Sequence, residues 1–282
     1  ARPGDLTDAG FLADLLSPGF DLVFHLASLP GARAEAEPDL GHRINLLAPL
    51  ALARAAAKAR RGARFVFASS IAVYGRVATP VDPATPLRPD LSYGAHKAMV
   101  ECAINDLARR GEVDGRALRL PGIVARPREP NGLRSAFMSD LMWAFAEGEA
   151  YCCPVSPQAT AWWMSARCCV NNLIHAAELH GAVLGPQRVW QLPVLQLSIA
   201  QVIDALAERY GEERRTRISF GPDAGLEALF GKMPALKTPH ARAAGFQHDR
   251  NAAALLRNAL NPAAPKHLPL TGETLDVTAK HA

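Results

Sequence analysis

Arg64-Phe65-Val66-Phe67-Ala68-Ser69-Ser70-Ile71-Ala72-Val73-Tyr74-Gly75, followed by Ser92-Tyr93-Gly94-Ala95-His96-Lys97, decides the reading of this chain. The first stretch is a near-continuous apolar run ending in two serines. Such a run marks a strand covered on both faces, as in a parallel sheet. The second stretch opens a segment, Leu91 to Arg110, that reads as a helix stopped by Gly111. Tyr93 and Lys97 stand four apart, so a helix places them on one face. Tyr93 follows Ser70 by 23 residues.

These residue types suit the movement of a proton to or from a carbinol while a nicotinamide exchanges hydride with the same carbon. Free tyrosine has a pKa of about 10, too high for a base near neutrality. A nearby lysine ammonium favours the phenolate, as does an oxidised nicotinamide, and the phenolate then takes the hydroxyl proton. The lysine also has three donors with which to hold a cofactor ribose. Ser70 is the candidate holder of the substrate oxygen. Ser69 is the poorer choice, because successive strand residues face opposite ways. Tyr-x-x-x-Lys alone is common on solvated helix faces; the specificity lies in its combination with the Ser-Ser strand end and the later Leu118-Arg119-Leu120-Pro121.

Outward from this stretch, Asp21 to Ala27 reads as a short buried strand and Asp39 to Ala59 as a long Leu/Ala-rich helix. Asp39 is an early cap or dipole partner of that helix. Arg116 to Leu120 reads as a third strand, so strands alternate with helices, as in an α/β fold with a parallel sheet. Pro121 to Pro130 reads as loop, Leu133 to Glu147 as helix, Tyr151 to Pro157 as irregular and Ser165 to Leu179 as helix. Arg188 to Leu192 reads as a strand, and Ser198 to Arg209 as an amphipathic helix capped by Ser198.

Composition narrows the function classes. The 282 residues are 49% hydrophobic and 21% charged, with a net charge of +4, an ordinary globular balance. The one dense basic run, Lys58 to Arg64, ends a helix and has no interleaved aromatics, which argues against nucleic-acid binding. No apolar stretch approaches the roughly 20 residues of a membrane span. Ala1 to Asp5 lacks a signal-peptide core, so the expected location is cytoplasmic. The five cysteines include two vicinal pairs rather than metal-site spacings, and the nine histidines form no metal pair. No metal is expected.

With those motifs in place, the chain resembles the extended short-chain dehydrogenase/reductase family, the NAD-dependent epimerase/dehydratase group, over about residues 4 to 210. The resemblance implies a Rossmann-like doubly wound parallel sheet with a smaller C-terminal substrate lobe. Residues 1–125 would form the NAD-binding domain, 126–261 mainly the substrate lobe interleaved with late sheet elements, and 262–282 a disordered tail. It implies NAD as cofactor, with NADP open. Asp5, beside Leu6, matches an adenine-contacting aspartate. Leu26, Ala27 and Ser28 match a backbone segment that lines the cofactor, and Asn45 matches a helix asparagine near it, although Ala48-Pro49 departs from the family's Gly-Thr. Leu120 and Pro121 match the segment that passes the nicotinamide. Read without the resemblance, Asp5 is a turn residue, His25 a packed core histidine and Asn45 a helix-face amide.

Val66 to Gly75, Val113 to Pro121 and Trp163-Met164-Ser165-Ala166-Arg167 resemble a subgroup of the family that acts on sugar acids. This implies oxidation of the 2-hydroxyl of a small sugar acid to the 2-oxo acid. A carboxylate substrate suits Arg167, which binds such a group bidentately or else is a surface helix residue. Asn131, in Pro130-Asn131-Gly132, either faces the substrate or makes a turn. A homodimer through the helices of Asp39–Ala59 and of Tyr93 is the family's implication.

The sequence has no Gly-x-x-Gly-x-x-Gly run. Relative to the family pattern, about 55–60 residues carrying the phosphate-binding loop and the central strand are missing before Ala1. The expectation is therefore an N-terminally truncated chain with weak NAD binding and poor solubility. Two other functions stand beside the dehydrogenase: a nucleotide-sugar epimerase/dehydratase, and a remnant deficient in cofactor binding.

Overall fold

The computed structural model describes residues 2–128, 133–181, 185 and 188–261. Asn131 and the expected tail from 262 onward lie outside them.

Four strands build the main sheet: β1 (Leu22–His25), β2 (Ala63–Ser70), β3 (Val113–Leu120) and, from far along the chain, Val189–Gln191. All three pairings are parallel, in the order β1, β2, β3, Val189–Gln191. β2 is the spine, with Phe65, Val66 and Phe67 fully buried. That is why its sequence shows no polar alternation. Ser70 pairs with Leu120 at the C-terminal end of the sheet. Helices α1 (Ala9–Leu16) and α2 (Ala48–Ala59) pack over one face with α3 (Ser92–Arg109).

α2 continues a helical path begun at Pro38, with a π turn at Arg43–Leu47 between them. The sequence predicts one regular helix here. Pro49 explains the departure, since it has no N–H to close an α-helical bond four residues back. Asp39 sits in the first turn without capping it, which makes it a dipole partner. α3 ends where expected: Gly111 has φ +66 and its N–H returns to Ala108 O at 3.0 Å.

The second half corrects two expectations. Gly122–Val124, inside the segment read as loop, is a strand, β4, paired with β5 (Thr160–Ser165), which also pairs with Leu195–Ser198. Its residues are small or β-branched and enter directly under helix α4 (Phe137–Glu147), where a side chain on Gly122 would meet Met138 at 2.6 Å. Tyr151–Cys153, read as irregular, pairs in parallel with Ile218–Phe220. Helix α5 (Ala166–Glu178) is capped by Ser165, and helix α6 (Ile199–Tyr210) by Ser198 in a capping box with Gln201. Trp163, Leu141, Phe145, Val202, Leu206 and Leu255 form the core of this half.

Candidate active site

Ser70 ends β2 and caps the short 3-10 turn Ile71–Tyr74, accepting from the Ala72 N–H at 3.1 Å. Its hydroxyl proton remains available to donate. α3 lands on that turn through Gly94, where a Cβ would lie 2.3 Å from Ala72 O. Only glycine permits this approach, and it stands Tyr93 beside Ser70. Burial raises the pKa of the Tyr93 phenol, while the hydroxyls of Ser28 and Ser70 and the guanidinium of Arg126 act against it. Ser28, three residues past the end of β1, and Ser70, at the end of β2, thus both bring a hydroxyl within hydrogen-bonding reach of the phenol.

Lys97 lies one turn along α3 and is 3% exposed. Its ammonium donates to Ala68 O at 2.7 Å, 4.6 Å from the Phe67 ring centroid and 5.4 Å from that of Tyr93. Burial lowers its pKa to about 8, against the pull of Glu101. Ser69 faces away from Ser70, as alternation requires, and donates to Glu101. Glu101 in turn takes Arg119 at 2.8 Å.

The other sequence-derived positions fall into distinct roles. Asn45 is 2% exposed, and its carboxamide is directed into the loop after β1. Its Oδ1 accepts from Leu29 N at 2.7 Å and Ser28 Oγ at 3.1 Å, and its Nδ2 donates to Leu29 O at 3.0 Å. It therefore fixes the segment that follows β1. Leu26 and Ala27 are exposed at that strand end, and Pro121 is buried beside half-buried Leu120 at the end of β3. Asp5 accepts from the backbone and side chain of Thr7, at 2.8 and 2.9 Å, which hold its carboxyl below the usual range. Leu6 packs on the α1–α2 side of the sheet. Arg167 opens α5 and donates to Asn261 O at 3.2 Å.

Arg126 is the cation that acts on the Tyr93 phenol, and sequence reasoning passed it over. It stands two residues beyond β4. It carries no motif of its own in the sequence, standing between Ala125 and Pro127 in a segment read as loop.

The donor set fits a nicotinamide riboside. Lys97 has three donors, and only the one to Ala68 O is engaged among the described residues. The buried His25 Nε2, at the end of β1, has no partner among them.

The model of the NAD dependent epimerase/dehydratase family matches residues 2–164. The chain belongs to that family. Within it, D-erythronate dehydrogenase of Cupriavidus necator is 40% identical over 248 residues, 87% of this chain and 76% of that protein. D-erythronate dehydrogenase of Haemophilus influenzae is 34% identical over 242 residues, 85% and 77% of the two chains. Among solved structures, a nucleoside-diphosphate-sugar epimerase from Agrobacterium tumefaciens superposes with a TM-score of 0.84 at 31% identity, covering 91% of this chain and 77% of that one. The Rossmann-type α/β fold and the use of NAD belong to this family member with its relatives.

Proposed function

We propose that this NAD-dependent dehydrogenase oxidises the 2-hydroxyl of D-erythronate, or of a closely similar small sugar acid, to the 2-oxo acid. The observation that carries the reading is the convergence of Ser28, Ser70 and Tyr93 next to a buried Lys97. The similarity to two D-erythronate dehydrogenases supports the substrate class.

Ser70 donates to the substrate oxygen and orients the 2-hydroxyl toward Tyr93. Tyr93 takes the hydroxyl proton as the C2–H bond gives up its hydride, so the C–O bond becomes a carbonyl. NAD, when bound, accepts that hydride. Lys97 keeps two donors for the ribose, and the Arg126 guanidinium favours the phenolate. Leu26, Ala27, Ser28, Leu120 and Pro121 line the cofactor, Asn45 fixes the first of these segments, and Asp5 with Leu6 faces the adenine end. No helix among the described residues is long and apolar enough to cross a membrane. The reading places the enzyme in the cytoplasm as a homodimer through α2 and α3, which sedimentation tests.

A second reading, a nucleotide-sugar epimerase, is favoured by the Agrobacterium structure. Absorbance at the nicotinamide band separates the two. Net NADH formed from D-erythronate supports the first, whereas interconversion of a nucleotide sugar without net NADH replaces it with the second.

A further inference from the structure

We propose that the groove between α5 and the C-terminal helix α7 (Ala252–Leu260) is a second binding site, separate from the catalytic one, for the phosphate monoester of a small sugar or polyol. Arg250 and Arg257 are its phosphate-binding residues.

The groove is a cleft of about 380 Å³, a volume in the range of small-molecule sites. α5 lines it with Cys168, Asn171, Asn172 and His175, and α7 with Ala254, Arg257 and Asn258. Each set follows the i, i+3, i+4 spacing of a single helix face. Facing helix stripes that pack shut are apolar; these are polar and leave a cleft. Asn172 braces it against the backbone of Gln247, its Nδ2 donating to the carbonyl at 2.8 Å and its Oδ1 accepting from the N–H at 3.0 Å. On its other side α5 packs beneath Val66 and Leu118 of the main sheet through Cys169, Leu173 and Ala176. The groove shares no residue with the Ser70–Tyr93–Lys97 site.

Its charge is one-sided. Arg250 and Arg257 both line it, and neither guanidinium has a hydrogen-bond or ion-pair partner among the described residues. The carboxylate in the lining, Asp249, is 3% exposed and already engaged. It accepts from the Ser165 N–H at 2.7 Å, the Ser165 hydroxyl at 2.6 Å and the Asn258 amide at 2.8 Å. Its oxygens serve the turn and not the arginines. A carboxylate ligand would match one of the two guanidinia. A phosphate monoester carries about −1.5 to −2 charges near neutrality and three acceptor oxygens, and so matches both. Arg250 also stands at the N-terminal end of α7, where the helix dipole adds to the attraction for an anion. The Asn171 carboxamide, likewise without a partner among the described residues, suits the hydroxyls of the ligand.

The backbone marks the same place. Arg250 has φ +30 and is the one non-glycine residue of positive φ among the described residues. Glycine holds such a conformation at least cost, so an arginine kept there points to a use for its side chain. His248 lines the groove two residues earlier, and its Nδ1 is buried without a partner among the described residues. An orphan polar atom of this kind calls for a partner, and a ligand hydroxyl supplies one.

The test is isothermal titration of the 282-residue chain with glycerophosphate, inorganic phosphate, acetate and glycerol, alongside Arg250→Gly, Arg257→Met, the double variant and Tyr93→Phe. Wild type should bind one glycerophosphate, inorganic phosphate more weakly, and acetate and glycerol not at all. Arg257→Met should weaken glycerophosphate by about 10- to 100-fold. Arg250→Gly should weaken it as much while raising the melting temperature by about 2–4 °C, because the turn relaxes as the cation is lost. Tyr93→Phe should leave the affinity unchanged, which separates this ligand from the catalytic site. Absence of saturable binding at millimolar glycerophosphate overturns the proposal, as does binding that survives the double variant or is lost in Tyr93→Phe. Acetate bound as tightly as glycerophosphate overturns the phosphate assignment. An Arg250→Gly chain that melts below wild type assigns Arg250 to the fold and removes it from the site.

Discussion

Glu101 and Arg119 form a two-pronged ion pair beneath the candidate site. Arg119 Nε lies 3.0 and 3.2 Å from the two carboxylate oxygens, and Nη2 lies 2.8 Å from one of them. The side chains are 4% and 16% exposed. Ser69 donates to the same carboxylate, and Arg119 Nη1 donates to the Tyr74 hydroxyl at 2.9 Å. Removing one partner leaves an unpaired buried charge, which costs about 3–5 kcal/mol. Glu101→Ala should therefore lower unfolding stability by that amount in urea titrations. The double variant Glu101→Leu/Arg119→Met should lose distinctly less, because neither charge is stranded.

Tyr93→Phe removes the proton acceptor without opening a cavity. NADH formation should fall by roughly 10²- to 10⁴-fold, with an unchanged unfolding midpoint. A Tyr93→Phe enzyme that keeps most of its turnover contradicts the proton-transfer role.

Lys97 titrates at about 8 because it is buried. Between that value and its ordinary value near 10.5, the unfolded chain binds more protons than the folded one. Stability should therefore rise with pH across this window, by roughly 3 kcal/mol from this group. The ammonium's cost is fully present below about pH 8. Lys97→Met should abolish that slope in pH-dependent denaturation. Its net stability at neutral pH should change little, since it relieves the buried charge but leaves Ala68 O without its donor.

His25 is buried between the rings of Phe65 and Phe67, at centroid distances of 6.3 and 5.8 Å, and burial lowers its pKa to about 4. The unfolded histidine protonates first as pH falls from 6.5. Stability should therefore be lost on acidification from there to about 4, by roughly 3 kcal/mol from this group. His25→Leu should flatten this part of the acid curve.

Asn45→Leu leaves the Leu29 N–H and C=O without partners. We expect a loss of roughly 1–3 kcal/mol and weaker binding of the nicotinamide nucleotide, followed by fluorescence quenching.

Much of the first sheet is legible in the sequence because its central strands β2 and β3 are buried on both faces and its helices carry explicit stops and caps, whereas β1, read as a buried strand, lies at the sheet edge with Phe24 exposed. Phe65 to Phe67 and Gly111 are examples, and Ser198 with Gln201 is another. The Ser70–Tyr93–Lys97 set is legible because its spacing is local to one strand end and one helix. β4 is hidden because three residues after a proline carry no period, and its partner Trp163 is remote in sequence. Tyr151–Cys153 is hidden for the same reason, since its pairing with Ile218–Phe220 is entirely non-local. Arg126 is hidden with it, since an arginine between Ala125 and Pro127 carries no motif of its own. Asn45 is visible as a residue, but its inward direction depends on the π turn that Pro49 imposes.

Pro121 alone separates β3, in the large sheet, from β4, in the small one. Tyr93 is referenced to the first sheet through Gly94 and Ser70, and Arg126 to the second through its backbone hydrogen bonds with Ser139 and Trp143 of α4. Pro121, with its fixed φ and no N–H to donate, is thus the one-residue link along the chain between the sheet that carries Ser70 and the sheet that carries Trp163.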